Sequence, residues 1–190
     1  MKNKIQDYLR EVSNNFKLLE SQTENIEIAS NIIISALKTK NKIIFCGNGG
    51  SAADSQHLSA ELMGRYKLDR NPLPAMSLTV DTSAITAIAN DYGYDHVFSR
   101  QLSGIGNKND VLYATSTSGN SKNVIKAIET AKQLGILVIG ITGKDKNKIS
   151  ELADITIHAP SNETNFIQEM HIAIGQLICG IVEEQFFGKK

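Results

Sequence analysis

The sequence predicts a three-layer α/β domain built on a central parallel sheet of five strands, with two helices in front of it. From Lys42 onward, short apolar runs alternate with helical stretches, and each junction is only a few polar residues long. The runs are almost continuously apolar, as strands covered on both faces must be. The length is the third observation. A chain of 190 residues makes one domain and can bury roughly 70% of its unfolded surface without a disulfide or metal staple.

The first forty residues contain no Gly or Pro and no strand signal. Ile5, Leu9, Val12, Phe16 and Leu19 recur at helical spacing, and a second stripe runs through Ile26, Ala29, Ile33 and Leu37. Thr23 and Asn25 lie between the stripes and supply N-cap chemistry for the second helix. The first strand is Ile43-Ile44-Phe45-Cys46, stopped by Gly47-Asn48-Gly49-Gly50-Ser51, with a helix following to Arg65. A strand over Ala75 to Val80 and a segment over Ser83 to Asn90 come next. The third unit is a strand at Val111 to Thr115, the turn Ser116 to Ser121 and a helix from Asn123 to Leu134. The fourth is Ile136 to Ile141, the turn Thr142-Gly143-Lys144 and a short helix near Lys148 to Leu152. Ile155 to His158 is the last strand, and a helix from about Glu163 to Phe187 closes the chain.

Composition narrows the function. Twenty basic residues balance twenty acidic ones, leaving no electrostatic footprint for nucleic acid or an anionic membrane. The longest mostly apolar stretch, Ile172 to Val182, is too short to span a bilayer, and the polar start MKNKIQDYLR is no signal peptide. Cys46 and Cys179 match no metal or disulfide spacing and read as buried free thiols. These features predict a soluble cytoplasmic protein.

Two loops at strand ends have the composition of a ligand site, where open parallel sheets place one. In Cys46-Gly47-Asn48-Gly49-Gly50-Ser51 the glycines permit close backbone approach, and Ser51 can cap the helix that follows. Thr115-Ser116-Thr117-Ser118-Gly119-Asn120-Ser121 gathers hydroxyls around a glycine at a helix N-terminus, a neutral cradle for phosphate. Neither fits G-x-G-x-x-G or the P-loop, so a sugar phosphate is expected rather than a nucleotide. His57 and Glu61 lie four apart on one helix face, suited to two metal ligands or to a base with its orienting partner. The final helix adds the carboxamides of Gln168 and Gln176, which need polar partners. His96 and His158 have no such context.

CGNGGSAADSQH, LTVDTSAITAIANDYGYDHVFSRQL, STSGNSKNVIKA, ITGK and IQEMH, in this order, resemble the sugar-isomerase (SIS) domain family over nearly the whole chain, and within it the heptose-isomerase branch. The resemblance implies a flavodoxin-like SIS domain over residues 41–190, with a helical pair over 1–40 that packs on it and in an oligomer. It implies a homotetramer with sites at subunit interfaces, one zinc per subunit, and isomerisation of sedoheptulose 7-phosphate for bacterial heptose biosynthesis. Carried onto this chain, Asn48, Gly49, Gly50, Ser51, Asn90 and Asp91 line the sugar, and Ser116, Thr117, Ser118 and Ser121 hold its phosphate. His57, Glu61 and Gln168 match zinc ligands. Glu61 also matches the proton-abstracting carboxylate, and both it and Gln168 touch substrate.

The family's fourth ligand and second acid–base group is a histidine eight residues after Gln168, and Gln176 stands there in this chain. An amide does not exchange protons near neutral pH and binds zinc less well than imidazole, so the substitution predicts slower turnover and weaker metal binding. His171 lies three residues after Gln168, at a place where the family also has a histidine outside the metal site. A second reading stays open: a non-catalytic SIS protein that binds the bacterial replication initiator, a branch that also lacks the histidine at the Gln176 position. That branch usually lacks the helix carboxylate as well, and this chain has Glu61.

Overall fold

The structure, a computed structural model, describes Met1–Gly188; the last two residues of the 41–190 unit lie outside the described residues. With neither Gly nor Pro to break it, the N-terminal segment is almost one helix. α1 (Lys2–Leu19) passes through a single 3₁₀ turn, Glu20–Gln22, into α2 (Thr23–Lys38). The expected cap at Thr23 is therefore not needed. Its hydroxyl donates back to the Glu20 carbonyl at 2.7 Å, and Asn25 donates to the Gln22 side chain at 3.1 Å.

The remaining elements alternate as βαβ units: β1 (Ile43–Cys46), α3 (Gly50–Met63), β2 (Ala75–Ser77), α4 (Thr82–Tyr92), α5 (Val97–Ile105), β3 (Val111–Ser116), α6 (Lys122–Leu134), β4 (Leu137–Thr142), α7 (Lys148–Leu152), β5 (Ile155–His158) and α8 (Thr164–Phe187). Three details differ from the sequence reading. β2 stops at Ser77 rather than Val80, because Leu78–Val80 turn away while Thr79 bonds to Ser77 and to the Ala52 carbonyl. α3 ends at Met63 rather than Arg65, where the Arg70 guanidinium takes the Glu61, Leu62 and Gly64 carbonyls. α5 is an additional helix, with Val97, Phe98 and Leu102 buried along one face.

All strand pairs are parallel, in the order β2-β1-β3-β4-β5. The order reverses between β1 and β3, the place where such sheets bind ligands. Their register pairs Cys46 with Ala114, so both strands deliver their loops at nearly the same level. Alternation along the strands splits the core in two. Ile43, Phe45, Val111, Tyr113, Ile139, Ile141 and Ile157 pack under α2, α3 and α8, while Ile44, Cys46, Leu112, Ala114 and Val138 pack under α5 and α6. Cys46 and Cys179 are free and buried on opposite sides of the sheet, and burial pushes both thiols up to about 12. Among the described residues no helix is long and apolar enough to cross a membrane.

Candidate active site

The β3–α6 loop gathers its hydroxyls tightly. Ser116 Oγ lies 2.9 Å from Ser121 Oγ and 3.4 Å from Ser118 Oγ, and the Asn120 amide donates to Ser118 Oγ at 3.2 Å. Gly119 takes φ +65 with its Cα against the Asn147 carboxamide, where a Cβ would sit 2.0 Å from Asn147 Cγ. Only glycine closes this turn. Ser121 is the N-cap of α6, and its hydroxyl turns to Ser116 instead of capping the helix. The loop thus gathers hydroxyls bonded to one another at the positive end of α6, an arrangement that suits a phosphate group.

The β1–α3 loop lies alongside. Gly50 is the contact point with α8: a Cβ there would fall 2.7 Å from Gln168 Nε2, so glycine admits the Gln168 side chain to the loop. Ser51 does not cap α3. The helix begins one residue earlier, at Gly50 behind the N-cap Gly49, and Ser51 is buried in its first turn. The two loops are joined by a reciprocal carboxamide pair, Asn48 with Asn123, at 2.8 Å in both directions. Tyr94, from the 3₁₀ turn between α4 and α5, donates to Asn48 Oδ1 at 3.2 Å. Asn90 and Asp91 are exposed at the end of α4, with their hydrogen bond to each other at 2.8 Å. The segment that carries them reaches the β1–α3 loop through Tyr94.

A cluster of imidazole, carboxylate and carboxamide lies on α3 and α8. His57 Nε2 is 2.9 Å from Glu61 Oε1 and 3.4 Å from Gln176 Nε2. Turning the Gln176 carboxamide over brings its oxygen to His57, so a protonated Nε2 can donate to Glu61 and Gln176 together. With that oxygen inward and the ring nitrogen unprotonated, imidazole, carboxylate and amide all present lone pairs toward one another. The residues therefore fit a divalent metal, although among the described residues no third His, Cys, Asp or Glu joins His57 and Glu61. One turn earlier, Asp54 has a buried carboxylate oxygen without a partner. Burial raises its pKa, and nearby His57 opposes the shift.

His171 points elsewhere. It is buried, its Nε2 donates to the Thr142 carbonyl at 3.1 Å, and burial lowers it to about 4 against that hydrogen bond. It is a neutral core histidine. The sequence reading also missed the device that holds α3 against α8. Glu183 accepts from the Tyr66, Lys67 and Leu68 amides at 2.8–3.0 Å and from Arg70 Nε at 3.0 Å. Burial pushes this carboxyl up, but those four hydrogen bonds outweigh it and hold the group below its ordinary value. An acidic residue in a strongly apolar helix was the available signal.

Fold and site together define a sugar-phosphate enzyme of the doubly wound class. The SIS domain family matches residues 7–143. The phosphoheptose isomerase of Akkermansia muciniphila is 51% identical over 184 residues, 97% of each chain. The solved phosphoheptose isomerase of Neisseria gonorrhoeae superposes with a TM-score of 0.91 at 39% identity, covering 96% of this chain and 98% of that one. The phosphoheptose isomerase from Francisella tularensis gives 0.92 at 32% identity, covering 96% and 97%. The chain belongs to the SIS domain family and, within it, to the phosphoheptose isomerases. The replication-initiator reading finds no support among these relatives, which are named as isomerases.

Proposed function

We propose that the protein interconverts D-sedoheptulose 7-phosphate and D-glycero-D-manno-heptose 7-phosphate, supplying heptose for lipopolysaccharide or capsule. One observation carries this reading. At the switch point of the sheet, a hydroxyl cradle stands level with a loop backed by a helix that carries Glu61, 2.9 Å from His57. The hydroxyls of Ser116, Thr117, Ser118 and Ser121 donate to the phosphate oxygens. Glu61 takes the C1 proton of the ketose, exchanges it with solvent and protonates C2 of the enediol, while the O1 hydroxyl gives up its proton and O2 gains one, leaving the aldose. Gln176 holds a substrate oxygen by hydrogen bonding without relaying a proton.

Zinc is the metal we assign to His57, Glu61, Gln168 and Gln176, where it supplies charge stabilisation for the developing oxyanion. The oligomer we assign is a homotetramer, and its support is the apolar stripe of α1: Ile5, Leu9 and Phe16 remain 55%, 61% and 38% exposed in the single chain. We assign the enzyme to the cytoplasm, a reading supported by its phosphorylated substrate and two free thiols, with a sugar phosphate as its small-molecule partner and neither nucleic acid nor membrane as another. The test is NMR of sedoheptulose 7-phosphate incubated with purified protein, with and without zinc. An aldose 7-phosphate should grow in. Unchanged ketose at stoichiometric enzyme under both conditions would overturn the assignment.

A further inference from the structure

We propose that Asn123 and Tyr94 are positioning residues that convert Asn48 into a one-way hydrogen-bond donor toward the sugar, an inference that rests on the sugar-phosphate reading of the site.

The donor and acceptor roles follow from one backbone amide. Val124 N–H can only donate, and it lies 3.0 Å from the Asn123 side-chain atom assigned as Oδ1, which must therefore be the oxygen. That oxygen also faces Asn48 at 2.8 Å, so the Asn48 atom there is its amino nitrogen. The reciprocal contact then runs from Asn123 Nδ2 to Asn48 Oδ1, also at 2.8 Å. Asn123 is buried, which leaves this amide no solvent alternative. Tyr94, facing the same Asn48 oxygen at 3.2 Å, has to be the donor.

Both lone pairs of Asn48 Oδ1 are now filled, and one of the two Nδ2 hydrogens is committed. What remains is one N–H on a partly buried side chain beside the exposed Gly49 and Gly50. Asn48 can serve an acceptor oxygen of the substrate and cannot receive a hydroxyl proton from it. The same pair fixes a distance. Asn48 follows β1, while Asn123 lies in the first turn of α6, directly after the phosphate loop. The phosphate cradle and the sugar loop are thereby set at one separation, which selects where along a phosphorylated sugar chain an oxygen can be met.

The test compares Asn123→Ala and Tyr94→Phe with wild type. It reads KM and kcat for sedoheptulose 7-phosphate, the inhibition constant of inorganic phosphate, and Tm. Asn123→Ala should raise KM about tenfold while the phosphate inhibition constant stays within about twofold, and Tyr94→Phe should raise KM about threefold with the same split. Tyr94 is exposed, so its variant folds and remains informative if Asn123→Ala does not. Unchanged KM in Tyr94→Phe and in folded Asn123→Ala overturns the proposal, as does a phosphate constant that rises in step with KM. Wild type that neither binds nor converts the sugar phosphate sinks the isomerase reading itself. Active wild type with indifferent variants sinks only the positioning role.

Discussion

In the proposed reaction, Gln176 sets how well the site works. Its carboxamide lies 3.4 Å from His57 and so stands at the acid–base cluster, in a place where a titrating group would relay the second proton. A general acid–base group contributes about 10²–10⁴-fold in rate. Gln176→His should therefore raise kcat at least about tenfold and tighten zinc binding, with phosphate affinity unchanged. Stopped assays and zinc titration check this, and a variant with unaltered turnover and metal content would place Gln176 outside the chemistry. That His57, Glu61 and Gln176 meet was legible in the sequence, because helix spacing and motif order point to them. Asn123 was not. An asparagine in the first turn of a helix reads as local capping, and no spacing connects it to a residue seventy-five positions earlier.

At the scale of elements, the site depends on α3 and α8 holding their separation. Arg70 binds the last carbonyls of α3, Glu61's among them, and pairs with Glu183 on α8, seven residues beyond Gln176. Removing one member of a buried pair costs about 3–5 kcal/mol, so Glu183→Gln should lower Tm by about 10 °C at pH 7. The sign with pH follows from the depressed carboxyl. Its stabilisation is complete above the ordinary value of 4.5 and is lost as pH falls through the lower folded-state value, so the gap between variant and wild type should narrow in acid. Calorimetric scans at pH 7 and below pH 4 measure both; a gap that widens in acid would be wrong for this clamp. The β3–α6 loop offers a separate test. Ser118→Ala with Ser121→Ala should weaken sugar-phosphate binding at least about tenfold in titration calorimetry, and unchanged affinity would remove the phosphate from this loop. β1, β3, β4 and β5 were legible as apolar runs. β2 was overread, because Leu78 to Val80 continue the composition of a strand while their side-chain bonds form a turn. α5 was missed, because Val97, Phe98 and Leu102 sit in a short helix entered through a 3₁₀ turn.

For the whole molecule, the sheet and its order account for where the site lies, but not for α1. That helix buries only Asn15 and Leu19 and leaves Tyr8 packed at a tilt against Phe166 with its hydroxyl on Glu169. Its periodicity was plain in the sequence; what the stripe faces was not, because one chain's pattern does not say which copy covers it. Light scattering at micromolar concentration should give a tetramer, and Leu9→Lys should shift the mass toward smaller species; a monomeric wild type would leave the α1 stripe without its assigned role. The enzyme's chemistry is tested most directly by NMR of sedoheptulose 7-phosphate in D₂O with wild type and Glu61→Gln. Wild type should yield an aldose 7-phosphate carrying solvent deuterium at C2, and Glu61→Gln should yield it at least about 100-fold more slowly. Aldose formed equally fast by both proteins, or no aldose from wild type, would contradict proton transfer by Glu61 at this site.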